Sequence, residues 1–196
     1  MTTSALPPQI KAITHAGHDC LHLQTHHCSA ILSLHGGHLI SWIPLDQREV
    51  FWLSPLALPE PAAIRGGVPI CWPWFAKQGQ AISARQHGPV RQMRWTLAQV
   101  ERCDDDEIRL SLSPLMQGPL AQELFDGAPH LQLSMQVVLG DTLSQTLHTR
   151  NLGATPFALT QALHSYFAVG DASQLQIEGL QGLRYADSLR DKSLHV

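Results

Sequence analysis

Short runs in which apolar and polar residues alternate dominate the chain: Leu21-His22-Leu23, Ile31 to Leu34, Ile108-Arg109-Leu110-Ser111-Leu112, and Leu131-Gln132-Leu133-Ser134-Met135-Gln136-Val137. A period of two sends successive side chains to opposite faces, so each run predicts a strand with one buried face. Breaks fall at Gly36-Gly37, Pro44 to Asp46, Gly88-Pro89, Asp104 to Asp106, Gly140-Asp141 and Asn151-Leu152-Gly153. Many strands joined by short turns favour an all-β, antiparallel sandwich or barrel. The run Val137 to Leu143 carries Gly-Asp between apolar flanks, which predicts a hairpin with a partner strand over Leu143 to Thr149 and a positive φ at Gly140. Only Pro119 to Phe125, with proline near a helix start and Leu120 and Leu124 four apart, invites a helix.

Composition narrows the classes open to such a fold. With 196 residues, a sandwich is expected to form one domain over residues 1–196, and no repeat or linker marks a boundary. The apolar fraction of 44% and charged fraction of 15% exclude disorder, and no apolar run is long enough to cross a bilayer. A formal charge of −3 without a clustered basic stripe argues against a nucleic-acid partner, so any phosphate partner is expected to be small. The four cysteines show no Cys-x-x-Cys spacing, and Met1 to Pro8 lacks the basic start and apolar stretch of a leader. A reducing cytoplasm is the expected home.

Twelve histidines raise the question of a metal site. His26 and His27 are adjacent and, in a strand, would point to opposite faces; His35 and His38 flank a Gly-Gly turn without a cysteine or carboxylate nearby in sequence. No resident metal is expected from these spacings. Three other stretches carry more chemistry. Ala63-Ile64-Arg65-Gly66-Gly67-Val68-Pro69-Ile70-Cys71-Trp72-Pro73-Trp74-Phe75 sets one arginine on two glycines before a dense aromatic cluster. Arg65 is either presented to a ligand there or simply solvated, with Trp72, Trp74 and Phe75 in the core. His87-Gly88-Pro89-Val90-Arg91 puts a histidine on a shaped turn with a fixed positive charge four residues on. Leu159 to Phe167 holds His164 in apolar and aromatic surroundings, as either a satisfied core residue or a catalyst. Ser165 beside it is not a triad nucleophile, because no Gly-x-Ser-x-Gly elbow is present.

Taken together, Ala63 to Phe75, His87 to Arg91 and Leu163-His164-Ser165-Tyr166-Phe167-Ala168-Val169-Gly170 resemble, in order and spacing, the signature stretches of the hexose-6-phosphate mutarotase family, which is related to aldose 1-epimerases. Gly36 to Trp42 and Val50 to Ser54 resemble that family's early strands. The resemblance implies a galactose-mutarotase-like supersandwich and interconversion of the α and β anomers of hexose 6-phosphates, with no metal or redox cofactor. It implies that His164 acts on the sugar ring oxygen, that His87 holds the same region, and that Arg65 and Arg91 meet the phosphate.

Ring opening needs a proton delivered to the ring oxygen while another leaves the anomeric hydroxyl, so an imidazole opposite a carboxylate suits the task. Arginine's planar fork suits the phosphate. Two features depart from the family pattern. Pro89 and Val90 stand where the family has an aromatic and a small residue, and the glutamate base lies on a later strand than any here. The chain is therefore expected to be C-terminally incomplete, with impaired catalysis or simple sugar-phosphate binding as its alternative. Asp171 and Glu178 are candidate substitute bases, but nothing in the sequence places either near an anomeric hydroxyl.

Overall fold

The computed structural model describes residues 6–77, 80, 84–187 and 194–195. The alternating runs form two antiparallel four-stranded sheets. In the first, β1 (Ile10–His15), β2 (His18–Gln24), β3 (Cys28–Ser33) and β4 (His38–Pro44) pair in chain order. β5 (Ile70–Cys71) follows as a two-residue strand. The second sheet joins β6 (Trp95–Arg102), β7 (Ile108–Pro114), β8 (Leu131–Leu139) and β9 (Leu143–Asn151), again in chain order. Consecutive antiparallel pairing is what short turns permit, since a parallel return would need a long crossover.

Period-two burial is clearest in β7 and β8. Ile108, Leu110 and Leu112 are buried, as are Leu131, Leu133, Met135, Val137 and Leu139, while Gln132 and Ser134 face out. These side chains meet Leu21, Leu23, Ala30, Leu32 and Leu39 of the first sheet, with Trp72 and Trp95 filling the same core. The first sheet departs from the expectation of one buried face. Cys20 and Ile40 are buried on a second side against Ile64 and Leu53, because the connection after β4 folds back over that face.

The predicted helix is present as α1 (Pro119–Gly127), with Pro119 in the first turn, where its missing N–H costs nothing. Ala121 and Leu124 are buried in the core. The β8–β9 hairpin forms in the expected place and pairs Leu139 with Leu143. Its glycine behaves otherwise than expected. Gly140 is not among the residues with positive φ; a Cβ there would stand 3.3 Å from Glu107 Oε2, so the position serves a close approach rather than a left-handed turn.

Among the described residues, β9 has no partner on its outer edge. The chain returns through β10 (Ala162–Leu163), which pairs with β5, and later forms β11 (Tyr185–Ala186) against β12 (Leu194–His195). Between β10 and β11, Leu175, Ile177, Leu180 and Leu183 are each more than half exposed. That segment adds little to the core. No helix among the described residues is long and apolar enough to cross a membrane.

Candidate functional site

The irregular stretch Arg65 to Phe75 is held by main-chain bonds on both sides. Ser54 N donates to the Arg65 carbonyl at 3.0 Å and Gly67 N to the Trp52 carbonyl at 2.8 Å. Val68 N donates to the Leu39 carbonyl at 2.8 Å. The backbones meet so closely that a Cβ on Gly67 would lie 2.3 Å from the Leu39 oxygen. The two glycines thus let Arg65 ride over β4, and its side chain is exposed. Beneath them His38 is buried and its Nε2 donates to the Gly66 carbonyl at 2.7 Å. Burial lowers the His38 pKa to about 3, so the ring stays neutral.

The segment carrying His164 runs antiparallel to this stretch. Tyr166 N donates to the Gly67 carbonyl (2.8 Å), His164 N to Pro69 (3.0 Å) and Thr160 N to Pro73 (3.2 Å). His164 is half-buried, its ring stacked on Tyr166 with centroids 4.9 Å apart. The Tyr166 ring in turn lies 6.0 Å from that of Trp52, a residue that is 43% exposed.

His87 reaches the same place from a different loop. Its N donates to the Ala76 carbonyl at 2.7 Å, and the Ala76 N–H donates to His87 Nδ1 at 3.0 Å. An accepting Nδ1 leaves the proton of the neutral ring on Nε2. Burial, then the Arg91 charge and His164, lower the His87 pKa to about 4, so the ring is a neutral hydrogen-bond donor at pH 7. Gly88 makes this loop feasible. It has φ +70, and a Cβ on it would come within 1.9 Å of the Trp72 carbonyl oxygen. The two histidine rings meet edge to face at 5.9 Å, with Phe75 4.8 Å from His87 and 6.1 Å from His164.

Arg91 sits on the short 3-10 turn Val90–Gln92. Its Nη2 donates to the Gln86 carbonyl at 2.9 Å, while Nε is buried without a partner. Burial is the largest influence on its pKa and lowers it; the Arg85 and Arg65 charges act in the same direction, against Cys71 and Tyr166. A guanidinium with a spare donor and other arginines within electrostatic reach is matched to an anion. Arg85 is already engaged by Glu123 at 3.0 Å.

The four residues singled out from sequence therefore fall into two groups. His87, His164 and Arg91 converge through direct ring contact and electrostatic reach. Arg65 reaches Arg91 by its charge alone, from an exposed position. Trp72 and Trp74 are in the core as one reading held, but Phe75 is only half-buried and walls the histidines. Sequence reasoning gave Tyr166, Trp52 and His38 no role. Their signal was present only as membership of the same motifs, since isolated aromatic residues read as core.

Neither substitute base gains support. Asp171 accepts hydrogen bonds from Ser173 N, Ser173 Oγ and Gln174 Nε2, and Glu178 lies exposed in the irregular stretch. The carboxylate missing near His35 in sequence does exist in space: Glu60 lies 3.9 Å from both His35 Nδ1 and His18 Nδ1.

An antiparallel sandwich with two histidines and an arginine with an unpartnered Nε on irregular stretches outside its two four-stranded sheets has a galactose-mutarotase-like fold. It superposes with a TM-score of 0.57 and 17% identity on a galactose mutarotase-like protein from Clostridium acetobutylicum, covering 74% of this chain and 49% of that one. A crystal structure titled as a "putative mutarotase" from Salmonella typhimurium aligns with a TM-score of 0.82 and 32% identity, over 97% of this chain and 61% of that one. The aldose 1-epimerase family model matches residues 19–194, and the chain belongs to that family. A Salmonella typhimurium protein named "Putative glucose-6-phosphate 1-epimerase" is 36% identical over 83% of this chain and 52% of its own length. One of the same name from Cenchrus ciliaris is 32% identical over 84% and 51%. The chain thus spans about half the length of the curated relatives it matches.

Proposed function

We propose that residues 1–196 form a single mutarotase-type domain, or the N-terminal portion of one, that handles hexose 6-phosphates and interconverts their α and β anomers. The observation that carries this reading is the meeting of His87 and His164 at 5.9 Å beside Arg91, whose buried Nε has no partner. His164 is the proton donor to the ring oxygen, since no hydrogen bond among the described residues ties up its ring. His87, neutral with its proton on Nε2, holds and orients the same region of the sugar. Arg91 and Arg65 take the phosphate, and Trp52 with Tyr166 offers an aromatic wall to the apolar face of a pyranose. The relatives named as glucose-6-phosphate 1-epimerases support glucose 6-phosphate as the substrate. Four unpaired cysteines fit a cytoplasmic setting.

A second reading, a sugar-phosphate binder without catalysis, is favoured by one observation: no carboxylate among the described residues contacts either histidine. One experiment separates the two. Anomer exchange of glucose 6-phosphate is followed by NMR magnetisation transfer with this chain, its His164→Ala variant and buffer. Exchange above buffer that disappears in the variant supports catalysis by this chain. Exchange at the buffer rate, together with glucose 6-phosphate binding that Arg91→Gln weakens more than it weakens glucose binding, supports the binder. Absence of both overturns the proposal.

A further inference from the structure

Three turns at one end of the two sheets bring together residues far apart in sequence. The β2–β3 turn is organised by Thr25, whose buried hydroxyl accepts from His27 N and Cys28 N, both at 3.1 Å. Because His26 and His27 sit in this turn and not in a strand, the expectation that they point to opposite faces fails. Their rings lie 3.8 Å apart on one side. The β6–β7 turn supplies Asp105 and Asp106, both with φ +57, and the β8–β9 turn supplies Asp141.

One ligating atom from each of His26, His27 and Asp105 lies within 4.8 Å of the other two. The Asp105 carboxylate stands 3.8 Å from His26 Nε2 and 3.6 Å from His27 Nε2. Tetrahedral ligands at about 2.0–2.1 Å from a zinc ion are roughly 3.3 Å apart. The two Asp105 distances exceed that spacing by only a few tenths of an ångström, each to a different carboxylate oxygen, and an aspartate side chain that is 80% exposed can move to bring one oxygen into place.

The opposite edges of both rings carry an independent observation. His26 Nδ1 faces Asp106 at 3.2 Å, and His27 Nδ1 faces Asp141 at 2.5 Å. Asp106 is itself fixed by Gln9, Arg102 and the His26 N–H. A carboxylate behind each imidazole sets its tautomer and aims the other nitrogen, the arrangement that orients metal-bound histidines. His27 Nε2 donates to the Asp105 carbonyl at 2.8 Å; that proton leaves when the nitrogen takes a cation.

We infer that His26, His27 and Asp105 form a binding site for a divalent transition-metal ion of the zinc or cobalt type, oriented by Asp106 and Asp141 and separate from the histidine and arginine site. Two imidazoles and one carboxylate select such an ion over magnesium or calcium, which prefer oxygen donors alone. Three protein ligands leave a position for water. For His26 and His27 the expectation of no metal rested on strand geometry, which the turn removes.

The test titrates the whole chain with Zn²⁺ by calorimetry and with Co²⁺ by visible absorption. One ion per chain at this site is expected. Asp141→Asn should weaken it about tenfold, as loss of an orienting partner does. His26→Ala and Asp105→Asn should weaken it more, and both residues are exposed enough for the fold to survive. Circular dichroism of each variant checks that it does. Absence of one-to-one binding, or binding that neither His26→Ala nor Asp105→Asn changes, overturns the inference. Magnesium or calcium binding as tightly as zinc would overturn it too.

Discussion

Replacing Gly88 by alanine tests whether the His87 loop is held by backbone proximity. The methyl group would meet a left-handed backbone and, at 1.9 Å, the Trp72 carbonyl oxygen, with Trp72 C at 2.6 Å and Pro73 N at 3.1 Å. The left-handed conformation alone costs an alanine about 1–2 kcal/mol. All three neighbours are main-chain atoms, so no side chain can swing aside, and the loop itself must retreat. That retreat disrupts the Trp72 N to His87 O bond (3.3 Å) and strains the Ala76 and His87 pair, at about 1 kcal/mol for each bond lost. The total is about 2–3 kcal/mol if only the Trp72 bond is lost and about 4–5 kcal/mol if the Ala76 and His87 pair is lost as well. Gly17 supplies the control: it has φ +79 in the Ala16-Gly17 turn of the β1–β2 hairpin, yet a Cβ there meets nothing nearer than Pro59 Cβ at 3.8 Å. Gly17→Ala should therefore cost only the conformational part. Urea unfolding followed by tryptophan fluorescence gives both values from the shift in midpoint. A Gly88→Ala loss no larger than that of Gly17→Ala would refute the claim that contact with Trp72 shapes the loop.

Much of the sandwich was legible because half-buried antiparallel strands write their period into the sequence, as β7 and β8 do. The helix was legible from Pro119 and the Leu120 and Leu124 spacing. The region from Phe51 to Phe75 was not, because it pairs through single bridges and the two-residue β5, too short to show any period. Burial of Cys20 and Ile40 on the outer face depends on that same region folding back, a long-range event that no local pattern reports. Of the site, His87, His164, Arg65 and Arg91 stood out by motif. The convergence of two histidines from segments 77 residues apart did not, and the placing of Phe75 at the wall depended on it. His26 and His27 were misread for a definite reason: Gln24 ends β2, and Thr25 turns the chain by hydrogen bonds that a strand reading leaves out.

Leu110→Ala, in the middle of β7 and fully buried, should cost about 2–5 kcal/mol in the same urea assay; a loss below 1 kcal/mol would mean the sheet can collapse around the cavity. The His87 ring should remain neutral down to about pH 5 by NMR, since its folded pKa is about 4 against an ordinary 6.5. Between those values the unfolded chain takes up a proton that the folded ring refuses, so His87 makes stability fall as the pH drops from 6.5 towards 4. His38 acts in the same direction, with a folded pKa of about 3. Changing Arg91 to Gln should raise the His87 pKa, because it removes the largest cause after burial. The same coupling makes the sugar-phosphate proposal visible without catalysis. Arg91 disfavours the imidazolium of His87, and an anion that settles on Arg91 offsets that repulsion. Saturating glucose 6-phosphate should therefore shift the His87 titration upward from about 4, whereas glucose should not, and the shift should vanish in Arg91→Gln. Binding that saturates while the His87 titration stays fixed would mean that the phosphate sits elsewhere, and the pairing of Arg91 with the phosphate would fall with it.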